Sequence, residues 1–177
     1  MGLKIDDREF RSLWERGDAI AVKSAIWALN RVGRRLRTRS VRGIARQTGI
    51  AQKAIRRRVR ARPASRRRIR VSLVVYSRPV AAVHAGRVRQ TRSGVTAAGR
   101  QLPGAFIIEA QHRMAPGRAV VKRKTRARLP LRTETLEIHK TAVEVVQKVI
   151  DRAGQQLWAV EFPRILSYNL KRSAGIG

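Results

Sequence analysis

Between residues 56 and 70 the chain reads RRRVRARPASRRRIR, and Arg56, Arg57, Arg58, Arg60, Arg62, Arg66, Arg67 and Arg68 are the side chains best suited to engage a partner. A guanidinium stays charged and presents a planar fork of donors that fits phosphate or carboxylate, where lysine offers a point charge. Clustered this densely, arginines point to a polyanion or to the acidic face of a neighbouring subunit. The ordinary fate of a charge run is a solvated face. That reading is weaker here, because Asp18 and Glu109 bracket a stretch that holds 23 basic residues and no acidic one.

Other chemistry finds little support. His84, His112 and His139 lack ligand spacing and have no cysteine or carboxylate cluster beside them, so no metal is expected. There is no glycine-rich phosphate loop, nucleophile elbow or close carboxylate pair. Glu109, an acid in basic surroundings, reads as an ion-pair partner for an arginine rather than a general base. Neither enzymatic activity nor a cofactor is expected. Trp14, Trp27 and Trp158 read as core or interface residues, since no aromatic interleaves with the arginines as a stacking platform would require.

The segment GIARQTGIAQKAIRRRVRAR, residues 43–62, has the look of a helix-turn-helix, with Ala45, Gly49, Ile50 and Ile55 at suitable spacing. The match then fails at Arg58, where such motifs bury an apolar residue, and Pro63 with a strand follows in place of a third helix. A recognition helix reading RRRVRAR gives phosphate affinity and lacks the Asn, Gln and Ser mixture of base readout. A basic helical hairpin without base specificity is the better expectation.

The elements that must position these residues follow from hydrophobic period. Val22, Ile26, Leu29, Val32, Leu36 and Ile44 form a stripe at three- and four-residue spacing, predicting a long helix that Asp18 caps and Thr48-Gly49 ends. A second helix is expected from about Ile50 to Arg60, before Pro63. RRIRVSLVVYSRPVAAVHAG alternates and reads as strand. The basic segment 86–103 reads as an exposed hairpin or flexible loop, and GAFIIEAQ and GRAVVKRKT as two strands joined by the turn RMAPG. Helical period returns after Pro130, with Ala142, Val145, Val149 and Leu157 near one face. A last helix is expected to begin at Pro163, before a frayed SAGIG tail.

The expected fold is α+β in one domain over 1–177: an extension over 1–17, a helical hairpin over 18–62, an antiparallel sheet of three to four strands over 66–127 and C-terminal helices over 135–172. With 177 residues the chain is long enough for one real core. Its 43% apolar content argues against a basic tail without structure. The net charge of +30 makes nucleic acid the leading partner. No cysteine is present, and no apolar stretch approaches the roughly 20 residues of a bilayer span. The opening MGLKIDDREF lacks a signal-type apolar run, so membrane and secretory placements are not expected.

The order of several short motifs resembles the minor tail protein Z family of lambda-like bacteriophages and prophages, over about Ala28 to Arg172. An A-[IL]-N-R-V pattern falls on Ala28, Leu29, Asn30, Arg31 and Val32, and the PGAF turn on Pro103, Gly104, Ala105 and Phe106. A terminal P-[KR]-x-L-x-Y-x-L pattern falls on Pro163, Arg164, Leu166, Tyr168 and Leu170. The resemblance implies a structural virion component that completes the head-proximal end of a long non-contractile tail and helps position the DNA end. It implies a homo-oligomeric ring, hexamer or trimer, beside the tail terminator, tail tube and head-tail connector, with genomic double-stranded DNA and the tape measure protein as further partners. Assembly in the host cytoplasm, and no membrane, enzyme or cofactor, belong to the same picture. Two alternatives remain from the residues alone: a helix-turn-helix regulator using 43–60, and a ribosome-like RNA-binding protein.

Overall fold

The computed structural model describes residues 19–112 and 115–175, apart from the side chains of 110–116. The 1–17 extension, the Asp18 cap and Trp14 lie outside the described residues. The chain is mixed α+β. Helix α1 (Ala19–Thr48) and the short α2 (Gln52–Arg56) precede strands β1 (Val59–Arg62), β2 (Ser72–Val75) and β3 (Val80–Ala81). A single 3-10 turn at Ala82–His84 leads into β4 (Val88–Thr91), β5 (Gly94–Ala97), β6 (Arg100–Pro103), β7 (Ala105–His112) and β8 (Ala115–Arg123). Strands β9 (Leu131–Thr133) and β10 (Thr135–Leu136) come before the C-terminal α3 (His139–Ser173). Among the described residues all the pairings are antiparallel, in four small sheets ordered β1-β2, β10-β3, β4-β5-β6 and β7-β8-β9.

Two compact units result. One comprises 19–40, Val59–Val75 and 143–175 of the described residues; the other comprises Val41–Arg58 and Tyr76–Ala142. In α1 the expected stripe is buried at Leu29, Val32, Leu36 and Ile44. Val22 and Ile26 are only half-buried, and Ala21, Ser24, Ala25 and Ala28 fill the face instead. A stripe scored on large side chains misses such a face, because small residues are what let another element approach closely. The second unit has a core of Ala82, Val95, Ala97, Ala105 and Val120 beneath its strands.

Three expectations need correction. The second helix stops at Arg56 and the chain becomes strand at Val59, so the segment 18–62 is two helices and a strand rather than a helical hairpin. Val59 is fully buried, Ala61 half-buried, and Arg60 and Arg62 exposed. That period of two is satisfied by pairing with β2, so the sheet region begins before residue 66. The basic segment 86–103, expected as an exposed hairpin or a flexible loop, is no flexible loop but two successive hairpins in an ordered three-stranded meander whose middle strand is largely buried. Its second turn places Ala98 and Gly99 at φ 51 and 73, the positive pair of a tight hairpin, without the Asn-Gly that would have announced it. Finally, α3 runs through Pro163 as one helix. Proline removes one hydrogen bond and crowds the preceding turn. Even so, the buried row Val146, Ile150, Ala153, Leu157, Glu161, Ile165 and Asn169 keeps its three- and four-residue spacing across that point, so packing holds the helix together.

The stop at the end of α1 is as the sequence predicts. Gly49 has φ +72, its N–H donates to Ala45 O at 2.9 Å, and Thr48 Oγ1 donates to Ile44 O at 2.7 Å. A Cβ at Gly49 would meet Ala98 O at 2.8 Å, whereas one at Gly99 would meet nothing within 4 Å. Both positions carry the left-handed cost of about 1 to 2 kcal/mol, and only Gly49 adds a clash with backbone. Urea unfolding should therefore show Gly49→Ala clearly more destabilised than Gly99→Ala; equal losses would mean that the carbonyl contact is absent.

Candidate polyanion-binding surface

The first unit presents its arginines on a β-hairpin. Strands β1 and β2 pair Val59 with Val75 through Arg62 with Ser72. Nearer the tip, Ser65 N donates to Arg68 O at 2.9 Å and Arg68 N to Ser65 O at 3.0 Å, so Arg66 and Arg67 form the turn itself. Arg60, Arg62, Arg66, Arg67, Arg68 and Arg70 are all exposed. Arg62, Arg66, Arg67, Arg68 and Arg70 meet no carboxylate of the described residues.

This hairpin is fastened to α1. Asn30 Nδ2 donates to Ala64 O at 3.2 Å, and Ala64 N donates to Asn30 Oδ1 at 2.7 Å. The amide thus takes the place of a neighbouring strand for the one buried residue between the two arginine groups. Arg37 Nε adds a bond to Val59 O at 2.8 Å. Beneath them Leu29, Ala64 and Val71 pack with Ile26, Ile69 and Trp158. The tip arginines are therefore carried on a fixed support.

Arg56, Arg57 and Arg58 belong to the second unit. Arg56 and Arg57 are exposed. Arg58 is half-buried and turned inward: Nη2 donates to Pro79 O at 2.9 Å and Nε is enclosed without an acceptor. It is a structural arginine before it is a ligand for anything else. The meander of this unit exposes Arg87, Arg89, Arg92 and Arg100. The β8–β9 connection exposes Lys124, Arg126 and Arg128, of which only Lys124 falls within the strand expected over GRAVVKRKT. Glu109 stands opposite Arg118 in the β7–β8 register, but no ion pair joins it to the described residues.

The other motif residues divide between the units. Pro103 ends β6, Gly104 turns the chain with its N–H on Ser93 O at 3.0 Å, and Phe106 lies half-buried on β7 with the Arg123 guanidinium 5.9 Å from its ring centroid. In the first unit Pro163 and Tyr168 are exposed and Leu166 half-buried on α3. Arg31 Nε lies 2.9 Å from Glu161 Oε2, and Arg35 Nη1 2.5 Å from Glu161 Oε1. Glu161 is fully buried, and neither oxygen receives a well-directed hydrogen bond, so the contact is charge against charge. A carboxylate buried alone would cost several kcal/mol, and the two partly exposed guanidiniums offset that cost.

Trp158 stacks on Phe162 with centroids 4.8 Å apart, as a core residue should. Trp27 differs: it is 43% exposed and shares an open groove with Arg31, Arg34, Arg164 and Tyr168. The expectation that no aromatic interleaves with arginine is corrected here, because residues from opposite ends of the sequence meet across α1 and α3. The five-residue α2 is about 8 Å long, too short to lie along a major groove as a recognition helix does. Among the described residues no group of three or more His, Asp or Glu comes together as a metal site would require. None of the described helices is long and apolar enough to cross a membrane.

No family model matches the chain, and no curated protein or solved structure matches it either. The family resemblance therefore rests on the order and spacing of its motifs.

Asn30→Ala removes both halves of the clamp and leaves a buried N–H and C=O at Ala64 unpaired, a loss of about 1 to 3 kcal/mol. Chemical denaturation should register it, with Asn30→Asp intermediate because it still accepts from Ala64 N. A silent Asn30→Ala would mean that the clamp carries no energy.

Proposed function

We propose that the chain is a structural virion protein that completes the head-proximal end of a long non-contractile phage tail as a homo-oligomeric ring. Its arginine hairpin holds the DNA end or the acidic face of an adjoining ring. The observation that carries this reading is the hairpin of exposed arginines, held on α1 by Asn30, on which Arg62, Arg66, Arg67, Arg68 and Arg70 face no described carboxylate. A component that must hold any genome sequence needs phosphate affinity without base readout, and arginines on a short turn offer that. The motif order from Ala28 to Arg172 supports the assignment to a tail, and ring symmetry would multiply modest contacts into firm, salt-sensitive holding.

The sequence-specific regulator has less in its favour, given the five-residue α2. An RNA-binding protein is separated from the proposal by its preference for RNA.

Titration of the full chain with duplexes of unrelated sequence over a range of salt tests the proposal. Binding should be the same for every sequence and fall steeply with salt. Replacing Arg66, Arg67 and Arg68 by Gln should flatten the slope of log K against log salt by about 2 to 3, near one per lost phosphate contact. The same triple variant should fold normally and assemble non-infectious particles. Tight preference for one short duplex, a preference for RNA, or normal infectivity of the variant would each overturn the reading.

A further inference from the structure

The open groove between α1 and α3 in the first unit has a volume of about 650 Å³, within the range of pockets that hold one small organic ligand. Its walls combine two kinds of side chain. Arg31, Arg34 and Arg164 supply positive charge, Trp27 and Tyr168 supply aromatic surface, and the nearly buried Ile165 forms an apolar floor. Asn30 also borders it, but its amide is committed to Ala64.

The two aromatic rings are the unexplained feature. Trp27 is 43% and Tyr168 57% exposed, although this unit has an apolar core in which Trp158 is accommodated. The Lys23 ammonium stands 5.2 Å from the Trp27 ring centroid, over one face of the indole, which leaves the other for a ligand. Glu161 engages Arg31 through Nε, fixing the guanidinium at the groove while its terminal nitrogens keep donors to offer. Arg34 and Arg164 pair with no carboxylate of the described residues.

We infer that this groove binds an unpaired nucleic-acid strand, with its phosphates on Arg34 and Arg164 and a base stacked on Trp27 or Tyr168. Exposed aromatic rings beside arginines are what unpaired bases require, since every base has a π-face and the backbone needs only charge. A duplex keeps its bases stacked internally and has no use for the rings. An acidic peptide would satisfy the arginines and leave both rings in water. The site is separate in sequence from the arginine hairpin, and it does not depend on the proposed place in a virion.

The test uses the full chain and a labelled eight-nucleotide oligothymidylate, followed by anisotropy and by tryptophan fluorescence. A duplex and a polyglutamate of matched charge serve as controls. Oligothymidylate should bind more tightly than either control, with quenching that Trp27→Leu abolishes. Trp27→Leu and Tyr168→Leu, both exposed positions expected to keep the melting temperature, should each weaken oligothymidylate by about tenfold. Duplex binding should stay unchanged, which separates this site from the hairpin. Three results would overturn the inference: wild-type oligothymidylate affinity in both variants, equal competition by polyglutamate, or a change of oligomeric state in Trp27→Leu, which would make the groove a contact between copies.

Discussion

A chain with a net charge of +30 must fold while holding its own cations apart. Two like charges 4 Å apart cost about 1 kcal/mol in water, and the cost fades only beyond a screening length of about 8 Å at physiological salt. With so few carboxylates, the fold turns arginines onto backbone carbonyls instead. Arg37 takes Val59 O and Arg58 takes Pro79 O. Glu161, the one fully buried carboxylate among the described residues, holds both Arg31 and Arg35 on the face of α1 that lies against α3. Where an anchor without charge is needed, Asn30 provides it.

That economy explains why the arginine hairpin stands out. Arg37 and Arg58 are half-buried and bonded to carbonyls, whereas the arginines at 66–68 sit on a turn whose hydrogen bonds are made by backbone alone. A hairpin of this kind costs the folded state repulsion with no return from the described carboxylates, which supports the proposed role in holding an anionic partner. The same reasoning distinguishes Arg57, exposed, from Arg58, which is tied to Pro79.

Long-period features were legible in the sequence. The stripe of α1, its stop at Gly49 and the strands around GAFIIEAQ and GRAVVKRKT follow from side-chain periodicity and turn chemistry. Val59 was not, because VRAR suits a helix or a strand until β2 supplies its partner. The meander was hidden by a turn built from Ala98 and Gly99, and the continuity of α3 by a proline that a buried row overrides. The arginine cluster was visible as a composition, but its division between two units was not, nor was the inward commitment of Arg58. Nothing in local sequence could bring Trp27 beside Tyr168, since that meeting is made by helix packing alone.

The central claim is a position in a particle, and position can be observed directly. Purified particles carrying this protein labelled at its C-terminus should show, by electron microscopy, density from the label at the head-proximal end of the tail, in a ring. Intact particles without label, or label along the whole tail tube, would contradict the account.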